Sequence, residues 1–457
     1  MSGTVVVFDV GKTNLKLIAF DAASGGEIWA RTCPNAPRQD GPYPHADIEA
    51  VESVLLDGLD HAARGANGAL DGVAVTTHGA SGALLTGERL ALPVLDYEYD
   101  GPEETAEAYR ALRPPFAETL SPRLPGGLNL GAQLLWQQLR FPEQFAAATT
   151  FVTYPQFWAF KLCGVAATEV TSLGCHTDLW RPVEARFSSL VARAGWAELM
   201  APTRHAGDVL APMRAGLAAR LGLKTPPPVY CGIQDSNASL MPYLSAARPR
   251  SIVSSGTWAI FFSLGGSFAR LNEERDMLAN VNAHGAPVLS ARFMGGREFD
   301  ILTAGAQGAP SLRDIARVLD AQVMALPSFV SACGPFPHGE GRWTSAPENL
   351  APGERLAAAS LYLALMSNVC LDLLEASGET IIQGPFVRNA FFCDALATLT
   401  GRPLFSTEGA TATGAGAARL MLPHLAEKKG ALAPGLPSPL RASLLAYAAA
   451  WARIAGA

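Results

Sequence analysis

Gly11-Lys12-Thr13 sits inside the run VVVFDVGKTNLK, Val5 to Lys16. A glycine, a lysine and a hydroxyl in that order end the loop GxxxxGK[ST], whose backbone N–H groups wrap phosphates. That loop needs an earlier glycine, here at position 6, and a helix after the threonine. Position 6 is Val6, and Leu15–Phe20 (LKLIAF) reads as a second strand, so a P-loop is excluded. A partial GxGxxG, Thr413 to Arg419 (TGAGAAR), lacks both its third glycine and a preceding strand. Its small residues suit a helix that packs closely, or one whose N-terminus approaches a ligand. Two carboxylates are better placed for chemistry. Asp9 ends an otherwise apolar strand, where a carboxylate is costly unless it meets a cation or caps a turn. Asp235 follows the strand Val229–Gly232 and opens a helix near Ser236. It is either a base aimed into a cleft or a helix N-cap.

The elements that must hold these residues occur twice. Val5–Phe8 and Leu15–Phe20 are short β runs joined by a turn rich in glycine, hydroxyl and amide groups. Arg250–Ser254 and Trp258–Leu264 repeat that pattern around the turn Ser255-Gly256-Thr257. A repeat so far apart is no solenoid and predicts two similar domains, each opening on a strand–turn–strand. The border is expected near 240–250, giving 1–245 and 246–457. Other landmarks are a loop at His78–Gly82, a turn at Cys163-Gly164 and the break Thr225-Pro226-Pro227-Pro228.

Taken in order, DVGKTNLK (Asp9–Lys16), GIQDSNASL (Gly232–Leu240), SSGTW (Ser254–Trp258), QGPFVRN (Gln383–Asn389) and TATGAGAARL (Thr411–Leu420) resemble the motifs of the FGGY carbohydrate kinases. The segments QLLWQQLRFPEQF and YPQFWAFKLCGVAATEVTSL resemble that family's mid-domain signature. The family belongs to the actin/hexokinase/Hsp70-like ATPase superfamily. The resemblance spans nearly the whole chain. It implies an α/β fold of two ribonuclease-H-like (actin-like ATPase) domains flanking a catalytic cleft, with sugar binding in the first domain and adenosine binding in the second. It also implies an ATP- and Mg2+-dependent kinase of a sugar, a ketose or polyol first.

Phosphoryl transfer needs positioning, charge stabilisation and a group to take the attacking hydroxyl's proton. On this resemblance Asp235 is the base and a metal-side carboxylate, and Asp9 serves Mg2+ through water. Gly11, Lys12, Thr13, Asn14 and Lys16 form the first phosphate turn, and Gly256 and Thr257 the second. Lys12 departs from the family's usual Thr or Ser; it either adds charge at the β- and γ-phosphates or points to solvent. Gly384, Asn389, Gly295 and Gly296 are assigned to the adenosine side, with Gln383-Gly384 standing where a double glycine is usual. His78 and Gly79 fall on the substrate loop. Asp96 and Glu98 fall where Asp-x-Arg is common, so an expected arginine is replaced. Tyr154 and His176 either line the same cleft or pack ordinarily; Trp136 and Trp158 read as core. The alternatives are a kinase of a sugar acid or other non-sugar small molecule, and a non-catalytic regulator on the same fold. Retention of Asp9, Asp235 and Thr257 argues against the regulator.

Composition bounds the remaining choices. With 457 residues, 49% hydrophobic and 17% charged, the chain can bury two or three cores. A net charge of -6 without a basic block points away from nucleic acid and anionic lipid. Seven scattered cysteines without CxxC read as reduced thiols, and eight histidines show no zinc spacing. No signal peptide is indicated, and Leu356–Leu374 reads as a core helix because polar residues interrupt it. A cytoplasmic protein, with a homodimer conceivable, is the expectation.

Overall fold

The computed structural model describes residues 3–244, 249–331, 333–407, 412–425, 427 and 430–457. The chain packs as two compact units. In unit 1, β1 (Thr4–Val10) is a run of β-branched and aromatic residues that is buried on both faces. It pairs antiparallel with β2 (Asn14–Asp21), in register from Val5↔Phe20 to Val10↔Leu15. β2 pairs antiparallel with the exposed β3 (Glu27–Pro34).

Helix α1 (Ile48–Gly65) starts where Asp47 accepts the N–H of Ala50, and buries Val51, Leu55, Leu59 and Ala62. It crosses over to β4 (Gly72–Thr77), parallel to β1, with Asp9 level with Thr76. Helix α2 (Tyr154–Cys163) ends at Gly164, whose φ of 84° needs a glycine. Two short strands, β5 (Pro228–Tyr230) and β6 (Ile233–Gln234), then lie parallel to β4. The four-residue helix α3 (Asp235–Ala238) follows.

Unit 2 repeats this plan. β7 (Arg250–Ser255) and β8 (Ala259–Leu264) form the second hairpin, and β8 pairs antiparallel with β9 (Pro287–Phe293). Helices α4 (Gly295–Thr303) and α5 (Pro352–Leu373) precede β10 (Glu379–Gln383), which is parallel to β7. After α6 (Ala390–Thr400), β11 (Leu404–Thr407) lies parallel to β10. Three antiparallel strands followed by parallel ones, β3-β2-β1-β4-β5 and β9-β8-β7-β10-β11, is the doubled ribonuclease-H-like order expected. Helix α5 is apolar and long enough to cross a membrane by length and composition. Most of it, from Leu356 to Leu371, is instead buried in the core of unit 2. Trp136 and Trp158 are buried as expected, and all seven cysteines are free.

Packing does not divide the chain at one point. Residues 279–287 and 413–427 cluster with unit 1. Helix α7 (Ala412–Ala418) explains the second return. A Cβ on Gly416 would stand 1.9 Å from the Ala238 carbonyl oxygen, and one on Gly414 would stand 2.4 Å from Ile18. The small residues of TGAGAAR thus serve close helix packing, which also buries Ala417, Ala418, Leu420 and Leu422 against Val5, Val7, Ile18 and Phe20. The expected border at 245/246, and Thr411 of that motif, lie outside the described residues.

Candidate active site

In unit 1 the side chains of interest gather at the carboxyl ends of parallel strands, where open α/β sheets present their ligand sites. Asp9 of β1 is level with Lys16 of β2 and Thr76 of β4, and Thr76 is level with Ile233 of β6. One row further on, Val10, Thr77 and Gln234 end their strands, and the chain leaves the sheet as Gly11, His78 and Asp235. Sheet register alone therefore brings together residues more than 200 positions apart in the sequence.

Asp9 is only 6% exposed. Burial is the main cause that pushes its carboxyl up to about 7; Lys16 opposes that shift and Asp235 adds to it. Asp235 is half-buried, and burial pushes its carboxyl up to about 6 against hydrogen bonds from Ser236 and Gln234. Its Oδ1 accepts the Ser236 N–H at 2.6 Å and the Gln234 side-chain amide at 2.6 Å. The N-cap of α3 is Gln234, whose Oε1 accepts from the Asn237 N–H at 3.0 Å. The capping reading of Asp235 therefore gives way to a carboxylate held in place by its neighbour.

Behind Gln234 stands a network that sequence reasoning missed. The Gln234 N–H donates to Thr171 Oγ1 at 3.0 Å, and that hydroxyl donates to buried Glu169 at 2.5 Å. Glu169 also accepts the backbone N–H groups of Thr171 and Ser172. Burial pushes its carboxyl up to about 7. The available signal was an acid immediately before a Val-Thr-Ser run. Thr76 was missed as well, because only the sheet register sets it beside Asp9.

Among the described residues, no group of three or more His, Cys, Asp or Glu side chains could hold a metal ion. Mg2+ does not need such a cage, since it keeps several waters and takes one or two carboxylates plus phosphates. Asp9, Asp235 and the buried Thr76 hydroxyl, which has no hydrogen-bond partner, form an all-oxygen set that fits such an ion.

The first turn is closed by Gly11 N–H donating to the Asn14 carbonyl at 2.9 Å, and Thr13 and Asn14 are exposed on it. Lys12 does not point to solvent. Its Nζ is ion-paired with Asp96, lies 3.5 Å from Glu98 and sits 4.9 Å from the Tyr97 ring centroid. His78 packs against Tyr97 and Tyr154, and its Nδ1 is 3.0 Å from the Gly79 carbonyl oxygen. Burial, aided by Lys12, lowers its imidazole to about 4, so the ring is neutral and Nδ1 donates. A Cβ on Gly79 would stand 3.4 Å from the Gln234 amide nitrogen, which places the His78 loop beside the group that holds Asp235. Tyr154 is buried and stacks on Phe157, so it supports His78 from below. His176 has a positive φ, and its Nδ1 is 2.8 Å from the Leu128 carbonyl oxygen, the bonding of a loop residue.

In unit 2 the expected residues also meet. Gly296 N–H donates to the Thr257 carbonyl, and a Cβ on Gly296 would stand 2.3 Å from the Gly256 oxygen. Gly295-Gly296 therefore backs the second turn. Gly384, with φ 84°, would place a Cβ 2.1 Å from the Ser255 oxygen. Asn389 uses its amide within the unit, accepting from Phe392 N–H and donating to Ser360.

A family model described as carbohydrate kinase FGGY, C-terminal domain, matches residues 247–430. A carbohydrate kinase from Novosphingobium aromaticivorans is 36% identical with a TM-score of 0.91, covering 100% of this chain and 99% of that one. A gluconate kinase and a ligand-bound xylulose kinase, both from Lactobacillus acidophilus, share the fold at 13% identity, with TM-scores of 0.83 and 0.81. Each matches 98% of its own length and at least 99% of this chain. No curated protein sequence matches the chain. With a relative at that identity over its full length, the chain belongs to the FGGY family of carbohydrate kinases.

Proposed function

We propose that the protein transfers the γ-phosphoryl group of ATP to a hydroxyl of a ketose or polyol, with Asp235 as the general base. The observation that carries this reading is the state of Asp235. Its carboxylate is desolvated, with a pKa of about 6, and oriented by Gln234 rather than spent on capping its helix. A base is most effective when its pKa lies near the working pH. Desolvation raises its proton affinity while leaving it ionised above about 6.

Asp9, Thr76 and Asp235 would hold a magnesium ion, which neutralises charge on the transferring phosphates. The turn Gly11–Asn14 with Lys16 in unit 1, and Gly256–Thr257 in unit 2, would offer hydrogen-bond donors to the phosphates. Gly295, Gly296 and Gly384 shape the backbone around that second turn, and Asn389 fixes the loop beside Gly384. His78 is neutral, so its Nε2 is an acceptor for a substrate hydroxyl.

The test is ADP release across a panel of ketoses, polyols and sugar acids, with Asp235→Asn as the control. We expect Asp235→Asn to lower kcat by about 1,000-fold or more while ATP binding changes by less than about threefold. Near-normal turnover in that variant removes Asp235 from the role of base.

A further inference from the structure

We propose that Lys12 serves the acceptor sugar rather than ATP: with Asp96 it forms a donor–acceptor pair for a neutral polyhydroxy substrate, and its neutralisation by Asp96 and Glu98 excludes an anionic sugar acid. This rests on the sugar-kinase reading above and narrows it.

Three observations carry it. First, Lys12 lies on the turn assigned to phosphate, yet its ammonium is turned into the Asp96–Glu98 loop. It is ion-paired with Asp96, 3.5 Å from Glu98 and against the face of Tyr97. Asp96 is only 8% exposed at its side chain and also accepts the Glu98 N–H at 3.1 Å, so the pair is fixed.

Second, the pair lies beside His78, through Tyr97, at the strand ends that also bear Asp235. An ammonium has three donors and a carboxylate about four acceptor positions, so pairing leaves both able to bond hydroxyls. A sugar hydroxyl is donor and acceptor at once. Third, one ammonium faces two carboxylates, Asp96 and Glu98. A carboxylate on the substrate would meet no uncompensated positive charge from Lys12, and like charges at such range are disfavoured.

The experiment compares wild type with Lys12→Met, Lys12→Arg and Glu98→Gln. We expect Lys12→Met to raise the sugar KM about tenfold or more and the ATP KM less than about twofold, with partial recovery in Lys12→Arg. Deoxy analogues separate contact from scaffolding. One deoxy sugar should lose about tenfold or more in wild type and no further in Lys12→Met, as expected where a buried polar group loses its partner. A structural staple would leave that ratio unchanged, which overturns the proposal.

Wild type should disfavour each sugar acid against its neutral counterpart by about 100-fold, and Glu98→Gln should narrow that gap. Preference for the acid overturns the inference while leaving the kinase reading intact. If wild type turns over nothing on the panel, the kinase reading fails. Calorimetry with magnesium and a non-hydrolysable ATP analogue then still judges Lys12. Unchanged affinity in Lys12→Met supports its absence from the phosphates, and a loss of about tenfold or more assigns it to them.

Discussion

Asp9 and Asp235 are carboxylates at a place where charge is expensive, and their pH behaviour follows. Asp235 must be ionised to accept a proton, so kcat/KM should fall about tenfold per unit as pH drops below about 6. A kcat/KM that stays flat down to pH 5 would count against the assignment. Asp9 has the opposite effect on stability. Its carboxyl is raised from 3.8 to about 7 by burial, so the folded protein holds a proton that the unfolded chain has lost across that window. Its contribution is fully present below about 4 and is lost as pH rises through about 7. Asp9→Asn should therefore stabilise the metal-free protein at pH 8 by an amount on the order of 1–3 kcal/mol, seen as a raised melting temperature, while abolishing turnover. Unchanged or lowered stability in a thermal melt at pH 8 would show that Asp9 is already compensated.

At the scale of elements, the helix that bears Asp235 is only four residues long and borrows its position. Ala238 at its end is covered by Gly416 of α7, where a Cβ would overlap a backbone oxygen that cannot swing aside. Gly416→Ala should cost about 2–4 kcal/mol and lower kcat, since α7 or α3 must move; thermal melts and steady-state kinetics together check this. Glu169 holds the strand before α3 through Thr171. The buried polar chain from Glu169 to Asp235 resembles the supporting shells that keep reacting groups oriented. Much at this scale was legible in the sequence. Both hairpins, the turn at Gly164 and the helix after Gln234 come from local alternation and glycine placement. The cap at Gln234 was not legible, because Gln, Asp and Ser in succession all suit a helix start and only the hydrogen bonds choose among them.

At the scale of the molecule, unit 1 is completed by segments far along the chain. Without residues 413–427, Val5, Val7, Ile18 and Phe20 lose Ala417, Ala418, Leu420 and Leu422. A fragment comprising residues 1–245 should therefore be insoluble or melt without cooperativity, because an exposed apolar face of that kind drives aggregation. A soluble fragment with a sharp circular-dichroism melt would contradict this account of unit 1.

The sequence by itself determined the family, the doubled strand–turn–strand and the false P-loop, and it singled out the two carboxylates proposed for the chemistry. These are properties of local pattern: periodicity, turn residues and motif order survive without knowledge of the fold. Tertiary structure alone decided what surrounds them. Thr76 stands by Asp9 because a parallel strand pairs in that register, and Glu169 reaches Gln234, which holds Asp235, through the Thr171 hydroxyl, 63 positions before Gln234. Lys12, the residue that first suggested a P-loop, is tied to Asp96, 84 positions away. Its partner was invisible in sequence because charge pairing depends on distance in space, which the chain sets only once its sheet has formed.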